Sequence, residues 1–202
     1  MKTIEAVRKF RLASKSPGTI KLAERPTRFH VENMPKGNFI VIPQVSSQNR
    51  RYIPMGYMDN SVICSDKVRL MPQGTLYHFG VLESNVHMAW MRTICARLKS
   101  DYSYTVNNVY NNFPWPTPTD QQKAKIEQTA QAILDARSLY PDSSLADLYD
   151  EVTMPPELRK AHQANDKAVM QAYGFPIKDF TESDCVAELF KLYNNLTKPK
   201  NN

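Results

Sequence analysis

With 202 residues, 42% of them hydrophobic and 23% charged, the chain is long enough to bury a core and to form one or two domains. No run approaches the roughly 20 apolar residues that span a bilayer, and Met1-Lys-Thr-Ile-Glu-Ala leads into charge instead of a signal-type apolar segment; no membrane partner and a cytoplasmic location are expected. The net charge of +6 is uneven, with 16 Lys and Arg against 7 Asp and Glu in residues 1–118 and 10 against 13 in residues 119–202, so a polyanion, if there is one, belongs to the first part.

Residues 1–28 carry eight basic side chains, Lys2, Arg8, Lys9, Arg11, Lys15, Lys21, Arg25 and Arg28. Ser14, Ser16, Pro17 and Gly18 interrupt its one helical pattern, so it reads as a part-helical lead-in segment. Phe39-Ile-Val-Ile-Pro43, bounded by Lys36-Gly37-Asn38, is β-branched and aromatic and predicts a buried strand ending at Pro43. The following Val45-Ser-Ser-Gln-Asn-Arg-Arg-Tyr-Ile-Pro54 gathers Ser46, Ser47, two amides, Arg50 and Arg51 in a loop before a second strand. Hydroxyls, amides and guanidinium forks are the chemistry of phosphate contacts, and a plain polar hairpin loop is the other reading.

Two more strands are expected, Ser61–Cys64 and Leu76–Val81, separated by the turn-like Met71-Pro-Gln-Gly74, with Ser65-Asp66-Lys67 exposed in the loop between them. Ser84 is placed to cap a helix over 85–98 whose Val86, Ala89, Trp90, Ile94 and Leu98 share a face, widened by Met88, Met91 and Cys95. In such a helix His87 is a core or boundary histidine, and the methionines are packing.

The densest stretch is Arg97-Leu-Lys-Ser-Asp-Tyr-Ser-Tyr-Thr105. If residues 99–105 are extended, Lys99, Asp101 and Ser103 share one face while Ser100, Tyr102 and Tyr104 share the other. Lysine suits guanine O6 and N7, aspartate accepts from cytosine N4 and serine does either, so such a row can read base edges. A solvated strand face over a tyrosine-lined core is the alternative.

Phe113-Pro-Trp-Pro-Thr-Pro118 predicts a stiff spacer and domain boundary. Beyond it Thr119-Asp-Gln-Gln122 has the capping-box pattern, Pro155-Pro156 opens a second helix closed by Gly174, Thr181 caps a third, and Leu145–Tyr149 forms a short turn of helix. The tail from Lys198 is expected to fray. The fold class is therefore α+β. Residues 1–118 form a mixed α/β domain with a small sheet and a buried helix, and residues 119–202 an all-α helical domain.

Catalytic signatures are missing from the sequence. The six glycines, at 18, 37, 56, 74, 80 and 174, make no phosphate-cradling loop. Pro141-Asp142 has no Glu-x-Lys or Asp-x-Lys to complete a metal-dependent nuclease pattern, and His30, His78, His87 and His162 lack metal spacing. Asp142, Asp147, Asp150 and Glu151 read as a solvated patch at helix ends. Cys64, Cys95 and Cys185, an odd set without CxxC, read as small buried hydrophobes.

Seven motifs in order carry a resemblance: Pro43–Pro54, Leu76-Tyr-His-Phe-Gly-Val-Leu82, His87-Met-Ala-Trp90, Arg97–Tyr102, Val109-Tyr-Asn-Asn-Phe-Pro-Trp-Pro116, Leu145-Ala-Asp-Leu-Tyr-Asp150 and Thr153-Met-Pro-Pro-Glu-Leu-Arg-Lys-Ala-His162. Across nearly all its length the chain resembles the C-terminal part of type IIL, MmeI-like restriction-modification enzymes. The resemblance implies a target-recognition domain and final helical segment of a combined endonuclease and adenine-N6 methyltransferase. The Asn-Pro-Pro-Tyr motif, the cofactor loop and the nuclease motif are absent. S-adenosylmethionine and a divalent metal would then act in other parts of such an enzyme, this chain holding no cofactor and no catalytic residue.

The partners so implied are double-stranded DNA and the methyltransferase and endonuclease domains. By the resemblance, Lys67 with Ser103 and Lys99 with Asp101 match positions that select base pairs. Ser46, Ser47, Arg50, Arg51 and Arg97 are assigned to the DNA backbone, where they add affinity without sequence information. A helical protein-docking module or specificity-type subunit, and a small stand-alone enzyme, are the competing readings.

Overall fold

The computed structural model describes residues 2–30 and 32–198, and of the tail expected to fray all but Lys198 lies outside them. Two compact units result, Met1–Met34 and Pro35–Asn202. The first holds helices α1 (Lys2–Leu12) and α2 (Pro17–Lys21) and a 3-10 turn, Leu22–Glu24. Within it the Arg11 guanidinium donates to the carbonyls of Leu22 (2.9 Å), Arg25 (2.8 Å) and Arg28 (2.6 Å), so one of the eight bases of the lead-in ties α1 to the turns that follow α2.

In the second unit the apolar run becomes β1 (Phe39–Pro43), buried between β3 (Gly56–Met58) and β4 (Val68–Pro72) in an antiparallel sheet of order β3-β1-β4. A second antiparallel sheet has the order β2-β6-β5, formed by β2 (Val45–Ser46), β5 (Ala96–Leu98) and β6 (Asp101–Ser103). Only Gln44 separates β1 from β2, so one extended segment feeds both sheets.

Helix α3 (Leu76–Leu82) occupies the place of the expected strand, and Ser61–Cys64 is turn and loop. A short apolar run fits a buried helix as well as a strand, and here Thr75 decides for helix, its backbone N–H donating to His78 Nδ1 at 3.2 Å. The strand that does form nearby is β4. Its Pro72 stands at the end, followed by Gln73 at positive φ and by Gly74, whose missing Cβ leaves room for Ile40.

Helix α4 (Asn85–Ile94) starts on Ser84 as expected, the Ser84 hydroxyl accepting from His87 N–H at 3.3 Å, but it ends four residues before the expected Leu98. Cys95 turns extended and Leu98 lies exposed on β5. Of the three cysteines only Cys185 is buried; Cys64 and Cys95 are half-exposed loop and helix-end residues.

The spacer is packed. Phe113, Pro114 and Pro116 are buried, and the Tyr173 hydroxyl donates to Pro114 O at 2.8 Å. Helices α5 (Asp120–Ser138), α6 (Leu145–Leu148), α7 (Pro156–Tyr173) and α8 (Glu182–Thr197) follow, with α5, α6 and α8 opened by capping boxes and α7 closed by Gly174 at φ 73°. Helix α5 packs on both α7 and α3, α8 packs on α4, and one apolar core runs from Ile40 to Leu189. The α+β class is as expected, with a mixed first part and a helical second part. No helix among the described residues is long and apolar enough to cross a membrane.

Candidate nucleic-acid interface

Residues directly opposite on paired strands project to the same face, so the register assigns every side chain of the second sheet. Asp101 and Ser103 share a face with Leu98, Val45 and, across from Ser103, Ala96. Tyr102 projects to the other face with Ser46 and Arg97, is only 6% exposed, and donates from its hydroxyl to Gln48 O at 3.2 Å. The alternation expected from the sequence therefore holds for Asp101, Tyr102 and Ser103, with Tyr104 buried beyond them.

Lys99 departs from it. With Ser100 it forms the two-residue turn joining β5 to β6, and its φ of 57° is left-handed. The residue is exposed at the tip of the hairpin, outside the strand row of Asp101 and Ser103.

Lys67 is brought to this sheet by Gln44. The Gln44 N–H donates to Lys67 O (3.0 Å), and Gln44 O accepts from Tyr104 N–H (2.8 Å). Lys67, which is exposed and paired with Asp66 at 3.1 Å, is thus bonded to Gln44 directly, and Ser103 adjoins Tyr104, its other backbone partner. The two pairs of positions singled out in the sequence lie on one hairpin and the loop next to it.

The loop after β2 is built differently from its sequence reading. Ser46 is 3% exposed and accepts from Arg50 Nη1 at 3.4 Å, so its hydroxyl faces inward. Arg97 folds back, its guanidinium 4.3 Å from the Tyr102 ring centre and donating to Ser100 O at 3.1 Å. Ser47 and Arg50 are half-exposed and Arg51 is exposed. The Arg51 pKa is raised, with Tyr52 first among the causes, and the guanidinium is charged at any ordinary pH. A cavity of about 490 Å³, lined in part by Gln48, Arg50, Arg51, Arg92, Tyr102 and Glu182, opens beside the loop.

Two exposed apolar side chains on the Asp101 face, Leu98 (58%) and Val45 (41%), were not singled out by the sequence. Only strand register reveals them, since Leu98 reads as the end of a buried helix when α4 is extended too far. No group of three or more His, Cys, Asp or Glu among the described residues is placed to hold a metal ion. Of the acidic patch, Asp147 closes the capping box of α6, Asp150 accepts from Val152 N–H and Glu151 pairs with Arg159, all work at helix ends.

A small antiparallel sheet ending in an exposed polar hairpin, anchored on a buried helix and a helical scaffold, defines an α+β recognition module. The chain belongs to the MmeI family: residues 1–117 match the model of the MmeI target recognition domain, and residues 118–199 that of the MmeI C-terminal domain. It is 38% identical over 186 residues to DNA methyltransferase A of Bacillus subtilis (strain 168), covering 92% of this chain and 21% of that protein. Among solved structures it is similar to the type IIL restriction-modification enzyme MmeI in complex with DNA, at 44% identity and a TM-score of 0.83, covering 97% of this chain and 26% of that one. The chain thus spans about a fifth to a quarter of the relatives it matches.

Proposed function

We propose that this chain recognises a specific sequence in duplex DNA, as the target-recognition part of a combined restriction endonuclease and adenine-N6 methyltransferase. The observation that carries the reading is the Asp101–Ser103 face of an exposed hairpin, with Lys99 at its tip and Lys67 alongside, in a chain of the MmeI target-recognition family. Hydrogen-bonding side chains at an exposed hairpin suit the major groove, where each base pair shows a distinct donor and acceptor pattern. In this reading Lys67, Lys99, Asp101 and Ser103 touch base edges, and Val45 and Leu98 give the same face apolar contact.

Ser47, Arg50, Arg51 and Arg97 hold phosphates, and the buried Ser46 serves them by orienting Arg50. Methyl transfer and cleavage, with S-adenosylmethionine and a divalent metal, fall to other domains of such an enzyme, so the chain by itself is not catalytic. Extruding the target base from the stack is a step for that methyltransferase, while this part keeps register.

Selection of bound duplexes from a randomised pool tests the reading. A consensus sequence, bound with affinity that falls steeply with salt, is the expected result. Binding without sequence preference, or none at low salt, would reject it in favour of a docking role for the helices.

A further inference from the structure

The loop that carries Arg50 and Arg51 is held from both sides of the family boundary at residue 117. From the first part, the Gln48 N–H donates to Asp101 Oδ1 at 3.3 Å and Gln48 O accepts from the Tyr102 hydroxyl. Arg92, on α4, donates through Nη1 to Arg51 O at 3.3 Å while its Nε and Nη2 grip Glu182 at the start of α8 (2.9 and 3.2 Å).

From the second part comes the tightest link. The Tyr52 hydroxyl donates to Asp166 Oδ2 at 2.6 Å, the other oxygen of Asp166 accepts from Asn85 N–H at 2.8 Å, and the Tyr52 ring stacks on His162 with centres 4.1 Å apart. Asp166 and His162 both belong to α7 and are buried. Every acceptor of the Asp166 carboxylate is thus directed at holding Tyr52 and the start of α4, although no side chain of α7 is among those assigned to DNA.

Given this, and resting on the DNA-recognition reading above, we infer that Tyr52 and Asp166 are positioning residues. Through the bond between them helix α7 of the C-terminal region fixes the backbone next to Arg51 so that its guanidinium meets a phosphate. The C-terminal helices then set the affinity of the recognition part for DNA without touching it. A charged group that is preset contributes its counterion release on binding, whereas one on a loose loop must first be ordered.

The test measures affinity for a selected duplex and its single-base-pair substitutions across a salt series, using the 202-residue chain. Tyr52→Phe removes one oxygen and leaves the ring on His162. It should flatten the slope of log affinity against log salt by about one, the loss of one phosphate contact, with the ratios among base-substituted duplexes unchanged. Asp166→Asn, whose amide still pairs with the phenol, should keep the wild-type slope. A folded Tyr52→Phe chain with the wild-type slope, or an Asp166→Asn chain flattened equally, overturns the inference. If Arg51→Ala flattens the slope while Tyr52→Phe does not, the recognition reading stands and the positioning role alone falls; a slope unmoved by Arg51→Ala removes both.

Native-state hydrogen exchange on the unsubstituted chain reads the same link without a variant. The Arg50 amide, bonded to Ser47 O, should open together with the Asn85 amide that Asp166 holds; an Arg50 amide exchanging freely beside a protected Asn85 contradicts it.

Discussion

Arg137 Nη2 meets Glu83 Oε1 at 2.7 Å inside the core, joining α5 to the residue that ends α3. The same carboxylate oxygen accepts from Met55 N–H (2.8 Å), and Arg137 also donates to Met55 O (2.7 Å) and to the Tyr149 hydroxyl, which contacts His162 Nε2. Burial pushes the Glu83 carboxyl up to about 7 even with Arg137 alongside. On Arg137 burial acts against the charge, but Tyr149 and Glu83 outweigh it and its pKa is raised. A buried pair is costly to break from one side because the surviving partner is stranded.

Arg137→Ala is therefore expected to destabilise the chain by about 3–5 kcal/mol in urea unfolding. Glu83→Gln, which can still accept from Arg137 and Met55, should cost clearly less. An Arg137→Ala loss below about 1 kcal/mol, the range of surface ion pairs, would show that the pair does not tie the two parts together.

His87 is fully buried, its Nε2 3.1 Å from the Tyr104 hydroxyl and its Nδ1 without a partner among the described residues; burial lowers its pKa to about 3. Below the ordinary value of 6.5 the unfolded chain takes up a proton on this ring that the folded chain refuses until about pH 3. The contribution of His87 to stability is thus present above 6.5 and is lost as the pH falls toward 3. Phenylalanine at this position removes that term. Relative to wild type, His87→Phe should gain about 1.4 kcal/mol per pH unit below 6.5, seen in urea titrations at pH 7.5, 6 and 5. Parallel curves would mean that the ring titrates alike in the folded and unfolded chain.

Gly80 lies where α3 packs tightly on α5. A Cβ there would lie 2.7 Å from Ile126 Cγ2 and 3.1 Å from Ala130 Cβ, and its carbonyl accepts from Asn165 Nδ2 at 2.7 Å. Gly80→Ala should cost about 1–3 kcal/mol by overpacking, despite alanine's better helix propensity. A melting temperature equal to or above wild type would place the helices farther apart than described.

Much of the scaffold is legible in the sequence because its signals are local. Ser84, Thr119 and Thr181 cap the helices they precede, Pro156 opens α7 and Gly174 ends it. Residues 39–43 carry the composition of a central strand. The errors arise where local preference is ambiguous or where tertiary contacts decide. Leu76–Leu82 is β-prone in composition yet helical under the Thr75 cap, and α4 breaks at Cys95 to supply the first strand of the hairpin.

At the candidate site the sequence supplied the alternation of Asp101, Tyr102 and Ser103 but not the turn at Lys99, since no glycine or asparagine marks it. Nor could it place Ser46 inward, or reveal Tyr52–Asp166 and Glu83–Arg137, which join positions 114 and 54 residues apart.

The division of labour between base reading and phosphate holding is tested most directly by measuring Lys99→Ala and Arg51→Ala on one selected duplex and all its single-base-pair substitutions. Lys99→Ala is expected to abolish discrimination at one base pair, worth about 1–3 kcal/mol, and to leave the others intact. Arg51→Ala should weaken every duplex by the same factor and lower the salt slope by about one. Equal losses across all duplexes for both variants would contradict the assignment of Lys99 to a base edge and of Arg51 to the backbone.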